Sequence, residues 1–322
     1  MTRTRRNPAD WRPVTASVEP SSTDDRPPPG PRAQASALVR LARPKQWAKN
    51  VLVFSAPGAA GALDEAGPLL DTLLAFAAFC LVASGTYYVN DARDVEADRR
   101  HPTKRRRPVA AGEVGVGTAF ALGAVLLVAG VALGFSVRWQ LGATVAGYVV
   151  LTSLYSAVLK RIAVVDLVAV AAGFVLRALA GGAATGVPIS EWFFIVATFG
   201  SLFMVSGKRG AEAAEIGEDA VSVRSVLAAY SPAYTAYLRS VTSGVVLVAY
   251  CLWAFEVADE ATATIPWFQL SIVPFVIAIL RYALVLDQGR GAAPEEIVLG
   301  DRPLQAVGLV WLVVYGLGVY AG

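Results

Sequence analysis

The sequence predicts an all-α fold, a polytopic membrane bundle of about nine transmembrane helices. Three observations predict it. Hydrophobic residues make up 55% of the 322-residue chain and charged residues only 16%, where a soluble domain carries about 25% charged. The apolar residues fall into runs close to the ~20 needed to cross a ~30 Å hydrocarbon core. The charges collect between these runs, and the mean hydropathy is +0.52.

Residues 1–35 are rich in Pro, Ser, Asp and Arg and have no apolar periodicity. Such a segment cannot bury enough surface to offset its ordering entropy, so a disordered tail is expected. No short apolar stretch with a small-residue cleavage site precedes it, so the first span is expected to direct insertion. A single catalytic domain is then expected over residues 36–322.

The expected spans, in order, are residues 44–62, 69–89, 116–136, 141–158, 164–185, 192–206, 236–257, 265–286 and 304–320. Alternate connections hold nearly all the Lys and Arg: the tail, residues 93–107, Lys160 and Arg161, residues 208–224, and residues 290–302. The positive-inside rule places these in the cytoplasm and an odd number of spans places the C-terminus outside. The opposite connections carry acids such as Asp64, Glu65, Asp259 and Glu260, and almost no bases apart from Arg138. Small residues such as those of 178–184 allow close helix approach, room for a long lipid, or contacts between protomers of a homo-oligomer.

Cys80 and Cys251 both lie in apolar runs and match no disulfide or metal spacing. His101 is the only histidine, which excludes a multi-histidine metal site. Metal chemistry here must use oxygen ligands. The charge pattern calls for no nucleic acid partner.

The second span ends in a row of oxygen ligands. If its helix continues past the membrane surface, Tyr87, Asn90, Asp91, Asp94 and Asp98 follow steps of three and four along one face. Carboxylates so arranged repel one another unless a cation is present. Magnesium keeps several waters and binds through one or two carboxylates plus substrate phosphates, so the row suits a metal–diphosphate. Lys104 and Arg105, Arg106 and Arg107 follow and could neutralise phosphate oxygens. A basic run beside a membrane helix also serves as a topology signal or a lipid contact.

Other polar groups lie deeper. Asp166 begins the fifth span, and Arg177 follows eleven residues later on nearly the same face. An arginine at that depth needs a partner, which makes it a site candidate or half of a structural pair with Asp166 or another helix. Lys160 sits in a short turn, and Lys208, Arg209 and Glu212 close the sixth span. Trp47 reads as an interfacial anchor. Lys49 lies further in, where it meets a lipid phosphate or snorkels.

Asn90 to Asp98 reads Asn-Asp-x-x-Asp-x-x-x-Asp, and with about nine spans it resembles the UbiA-type intramembrane prenyltransferase superfamily. Residues 43–50 (Arg-Pro-Lys-Gln-Trp-Ala-Lys-Asn), 101–105 (His-Pro-Thr-Lys-Arg), 200–204 (Gly-Ser-Leu-Phe-Met), 207–209 (Gly-Lys-Arg) and 294–296 (Pro-Glu-Glu), with Asp301, Arg302, Leu304 and Gln305, look like its decaprenyl-phosphate phosphoribosyltransferase branch. The resemblance implies transfer of 5-phosphoribosyl from phosphoribosyl diphosphate to decaprenyl (polyprenyl) phosphate, with release of diphosphate, for cell-wall arabinan precursors. It implies a Mg2+ cofactor and an active site on the cytoplasmic face of the cell membrane. Aromatic prenyltransferases of the superfamily carry a second acid-rich stretch near the sixth span. Here Lys208 and Arg209 stand in its place, which fits a phosphate-rich donor and an anionic lipid.

On this resemblance Asn90, Asp94 and Asp98 are the expected metal ligands, with Asp94, Asp91 and Asp166 the expected catalytic acids and Asp166 a candidate base. Lys104, Lys160, Arg177, Lys208 and Arg209 are expected to grip donor phosphates or the lipid head. Lys49 and Tyr87 are expected to place the lipid phosphate. Two alternatives stay open at this level: a prenyl diphosphate donor with an aromatic acceptor, and a lipid or solute transporter whose buried charges line a pathway.

Overall fold

The computed structural model describes residues 31–216, 226–260, 264–289 and 294–320, and these are helical almost throughout, with no strand among them. Helix α1 (Pro31–Ala42) precedes a 3-10 segment (Pro44–Phe54) and the short α2 (Ser55–Ala59). Then come α3 (Ala66–Arg93), α4 (Val95–Arg100), α5 (Val116–Val137), α6 (Trp139–Ala157), α7 (Val165–Thr185) and α8 (Glu191–Ile216). The chain continues through α9 (Pro232–Glu260), α10 (Trp267–Asp287), α11 (Pro294–Gly300) and α12 (Arg302–Tyr320).

Six of these, α3, α5, α7, α9, α10 and α12, are long and apolar enough to cross a membrane. The protein is an integral membrane protein. Helices α6 and α8 run between the same two ends of the bundle. The first expected span, residues 44–62, is not one continuous α-helix. Pro44, Pro57, Gly58 and Gly61 interrupt it, and most of it winds as 3-10, which is uncommon beyond three or four residues. Helix α1 starts at Pro31, inside the stretch expected as tail, and residues 1–30 and Arg290 lie outside the described residues.

Successive long helices reverse direction, so one end of the bundle collects the last turns of α3, α6, α8 and α10 and the first turns of α5, α7, α9 and α12. We call this the acid end, after Asn90 to Asp98. Helix α3 has 28 residues, about 42 Å at 1.5 Å per residue, so it outruns a ~30 Å hydrocarbon core. Its final turns therefore carry Asn90 and Asp91 to the polar boundary.

Glycine sets the closest packing. A Cβ on Gly130 of α5 would lie 2.9 Å from the Ala78 carbonyl of α3, and one on Gly181 of α7 would lie 1.9 Å from the Val53 carbonyl. Only the missing side chain lets α7 touch the 3-10 segment. Ala180 and Ala184 are also fully buried, in a core shared with Phe79, Val82, Leu141 and Val145. Much of the 178–184 stretch is thus taken up by contacts within one chain. Outward-facing Leu309, Leu312 and Val313 of α12 are exposed, as a bilayer allows.

Candidate functional site

The acid row does not continue as one helix. Helix α3 stops at Arg93, Asp94 adopts φ −92 and ψ 10, and α4 starts afresh at Val95. This break divides the row into two sets. Asp91 and Asp98 turn inward and are 2% and 3% exposed, whereas Asn90 and Asp94 stay partly open.

The inward pair is held by arginines. Arg43 Nη2 donates to Asp91 Oδ1 and Oδ2 at 2.7 and 3.0 Å. Arg107 Nη1 donates to Asp91 Oδ1 at 3.0 Å and to Asp98 Oδ2 at 2.7 Å. Asp98, expected as a metal ligand, and Asp91, expected as a catalytic acid, therefore face arginine rather than the open side. Arg43 itself sits in the left-handed region, φ 53 and ψ 60, which is uncommon for a non-glycine residue. The Asp91 contact and the Tyr87 ring, 4.5 Å from its guanidinium carbon, hold it there. Tyr87 is thus covered by Arg43.

Lys104 and Arg107 reach the site on a loop folded around His101. The His101 Nδ1 accepts from the Thr103 and Lys104 backbone N–H groups at 3.3 and 3.4 Å, with the Thr103 hydroxyl 3.2 Å away. That use of the imidazole explains a lone histidine without metal chemistry. Lys104, Arg105 and Arg106 are exposed, and Arg107 returns to α3.

Across the acid end lies a second knot. Asp166, fully buried, accepts a short hydrogen bond from the Tyr230 hydroxyl and has its Oδ2 2.9 Å from Arg209 Nε. Arg209, 2% exposed, also pairs with Glu212 and donates to the Tyr155 hydroxyl at 3.0 Å. Burial, then the hydrogen bond to Asp166, pushes the Tyr230 phenol well above its ordinary pKa, so it remains a donor. Its oxygen also accepts the Val164 N–H at 2.7 Å. Val164 has φ 68, an outlier for a β-branched residue. Arg209 and Asp166 are thus neutralised by buried partners, while Lys208, 3.7 Å from Glu212, is partly open. Arg93 Nη2 reaches the Ser156 carbonyl at 3.3 Å, which brings the end of α3 beside the Tyr155–Arg209 side.

Arg177 does not pair with Asp166. Its Nε donates to Asn50 Oδ1 at 2.8 Å, Nη2 to the Tyr148 hydroxyl at 2.7 Å and Nη1 to the Gly173 carbonyl at 2.7 Å. No carboxylate pairs with this guanidinium among the described residues, although it is only 8% exposed. The Tyr148 ring centroid lies 4.5 Å from its carbon, and Asn50 also donates to Cys80 Sγ at 3.3 Å. Lys49 bonds Gln46, and Lys160 is half-buried in the turn before α7. Trp47 donates to Ser84 at 3.1 Å, which ties the 3-10 segment to α3.

Arg43, Asn50, Tyr148 and Tyr230 escaped the reading of the sequence as site residues. Arg43 and Asn50 flank the Lys45–Lys49 stretch and had a signal in that motif; Tyr148 and Tyr230 had none.

No group of three or more His, Cys, Asp or Glu side chains able to hold a metal exists among the described residues. Asn90 and Asp94 offer two oxygen-bearing side chains one turn apart, and among the described residues the Asp94 carboxylate pairs with Arg93 alone, at 3.5 Å. Such a pair fits a magnesium ion arriving with phosphate oxygens and water, and does not form a preformed cage.

Residues 51–299 match the UbiA prenyltransferase family. The chain is 42% identical over 312 residues to the decaprenyl-phosphate phosphoribosyltransferase of Corynebacterium glutamicum, covering 96% of this chain and 93% of that one. It is 40% identical to the protein of the same name from Mycolicibacterium smegmatis, over 90% of this chain and 94% of the relative. Its fold is that of a UbiA homolog from Archaeoglobus fulgidus solved with GPP and Mg2+, at a TM-score of 0.66 and 18% identity, over 89% of this chain and all of the other.

Proposed function

The chain belongs to the UbiA prenyltransferase family, and from that premise we propose that it is a membrane pentosyltransferase. It moves 5-phosphoribosyl from phosphoribosyl diphosphate to decaprenyl (polyprenyl) phosphate and releases diphosphate. The observation that carries this reading is the 42% identity to a relative of that activity over nearly the full length of both chains. The site supports it. Where two acid rows would suit two metal-bridged phosphates, this chain sets Asn90 on the last turn of α3, Asp94 at the break that follows it and a partly open Lys208 on α8.

The roles follow from where these groups lie at the acid end. Asn90 and Asp94 hold Mg2+ together with the donor diphosphate, and Lys104, Lys160 and Lys208 take its remaining charge. Bound there, the metal offsets the charge that develops on the leaving diphosphate. Lys49 and Tyr87 place the lipid phosphate against the anomeric carbon. Its oxygen forms the new bond as the bond from that carbon to diphosphate breaks, with oxocarbenium character on the ribose. A phosphate is already ionised at neutral pH, so no base is required. Asp166 then acts as a positioning residue, as do Asp91, Asp98 and Arg209. Arg177 contributes its uncompensated positive charge from below.

The acid end faces the cytoplasm in this reading, because it holds Lys104 to Arg107, Lys160, Arg161 and Lys208 while the opposite connections hold few bases. The helices between the two ends make up about nine spans, counting the 3-10 segment with α2 as the first.

The test is transfer of label from phosphoribosyl diphosphate to a polyprenyl phosphate by purified protein in detergent, with and without Mg2+. Magnesium-dependent labelled lipid is expected. Product from a prenyl diphosphate and an aromatic acceptor, and none from phosphoribosyl diphosphate, would overturn the reading.

A further inference from the structure

A cavity of about 820 Å³ lies at the end of the bundle away from Asn90 and Asp94. It opens between the α5–α6 turn, the last turn of α7 and the start of α8. Its walls combine an arginine, a glutamate and a glutamine with an apolar side that includes Leu179, Phe194 and Ile195. The transfer chemistry uses none of them.

These polar side chains have no partners among the described residues. The side chains of Arg138 and Glu191, both exposed, make no hydrogen bond or ion pair with any described residue. Gln140 Oε1 is buried and accepts nothing, a state that costs about 1–3 kcal/mol unless a donor arrives. Arg138 is nevertheless seated. Gly186, at φ 80, gives up its side-chain space to the guanidinium, since a Cβ there would stand 2.5 Å from Arg138 Nη1. Trp139, 67% exposed, follows directly, and a tryptophan at a helix end sets the headgroup level of a bilayer.

We propose that this cavity binds the headgroup of a zwitterionic, amine-bearing phospholipid. Arg138 takes the phosphate, Glu191 and Gln140 Oε1 take the ammonium, and the first segment of an acyl chain lies along the apolar side. Opposite charges in one cavity disfavour a simple anion such as free diphosphate. The apolar wall and the headgroup-level position select a lipid over a soluble phosphoamine. Arg138 breaks the scarcity of bases at this end of the bundle, and the lipid phosphate gives it a counter-charge.

Native mass spectrometry of the full chain, delipidated in detergent and titrated with phosphatidylethanolamine or phosphatidylglycerol, tests this. The wild type is expected to retain one phosphatidylethanolamine in preference to phosphatidylglycerol by about fivefold, the scale of one exposed ion pair. Glu191→Gln should abolish that preference while a phospholipid is still retained, and Arg138→Gln should weaken both lipids. Equal or greater retention of phosphatidylglycerol by the wild type overturns the proposal. So does an unchanged preference in Glu191→Gln, which alone decides the matter if Arg138→Gln fails to elute as a single species. Glu191 is exposed and its side chain makes no hydrogen bond or ion pair with a described residue. The readout does not involve phosphoribosyl transfer, so it stands or falls apart from that activity.

Discussion

Arg177 Nε donates to Asn50 Oδ1 across 2.8 Å, joining α7 to the 3-10 segment in a buried layer where no carboxylate among the described residues pairs with the guanidinium. Substitution of Asn50 therefore separates stability from charge. Asn50→Ala leaves a buried guanidinium N–H unsatisfied and should cost about 1–3 kcal/mol, read as a lower Tm. Asn50→Asp supplies a counter-ion and should hold Tm nearer the wild type. It should also raise the KM for phosphoribosyl diphosphate about tenfold, because the charge is now compensated.

Asp94 and Asp91 are three residues apart and should fail in different ways. Asp94→Asn is expected to fold with an unchanged Tm and lose turnover by at least about 100-fold. Asp91→Asn leaves Arg43 and Arg107 without their shared partner and should cost about 3 kcal/mol of stability. Parallel measurements of Tm and labelled-lipid formation distinguish the two, and full activity in a folded Asp94→Asn would contradict metal binding there.

Metal dependence should appear only with substrate. Chelation is expected to stop product formation and Mg2+ to restore it. Mg2+ alone should leave the melting temperature unmoved, since Asn90 and Asp94 offer two donors at most. A thermal shift should emerge when Mg2+ and diphosphate are added together. A large shift with Mg2+ alone would mean a preformed site.

Tyr230 and Val164 predict a compensating pair. Tyr230→Phe removes the acceptor for the Val164 N–H and the donor to Asp166, and should destabilise by about 1–3 kcal/mol. Val164→Gly relaxes the positive φ and should raise Tm by a few degrees, in line with about 1–2 kcal/mol of stored strain. The double variant should lie between them.

Gly181→Ala would drive a methyl group into the Val53 carbonyl and should cost about 1–3 kcal/mol. Gly147→Ala, where nothing lies within 4 Å of the new Cβ, should be neutral or slightly stabilising. Thermal unfolding of both in one detergent makes the comparison.

Six long apolar helices were legible because apolar runs are local properties of the chain. The breaks within the first expected span were not legible, because its apolar content outweighs Pro44, Pro57 and two glycines. The acid row was legible as a row, but which acids stay open was not. That depends on Arg43, 48 residues before Asp91, and on the turn at Asp94 that swings Asp98 back to Arg107. Arg177 was found by its depth alone, whereas its partners come from 127 and 29 residues away. Spacing within one helix cannot reveal either. The eleven-residue step from Asp166 suggested a pair, but Arg209 of α8 occupies that carboxylate instead.

The contacts from Arg107 to Asp91 and Asp98 close a loop of 16 residues onto α3 without a covalent bond. The entropy of closing it, growing only with the logarithm of its length, is met when the chain folds. A donor that lands on Lys104 meets a loop already fixed. Its binding should therefore be governed by the enthalpy of phosphate contacts, with little of the entropic penalty that a loop ordered by its ligand would add.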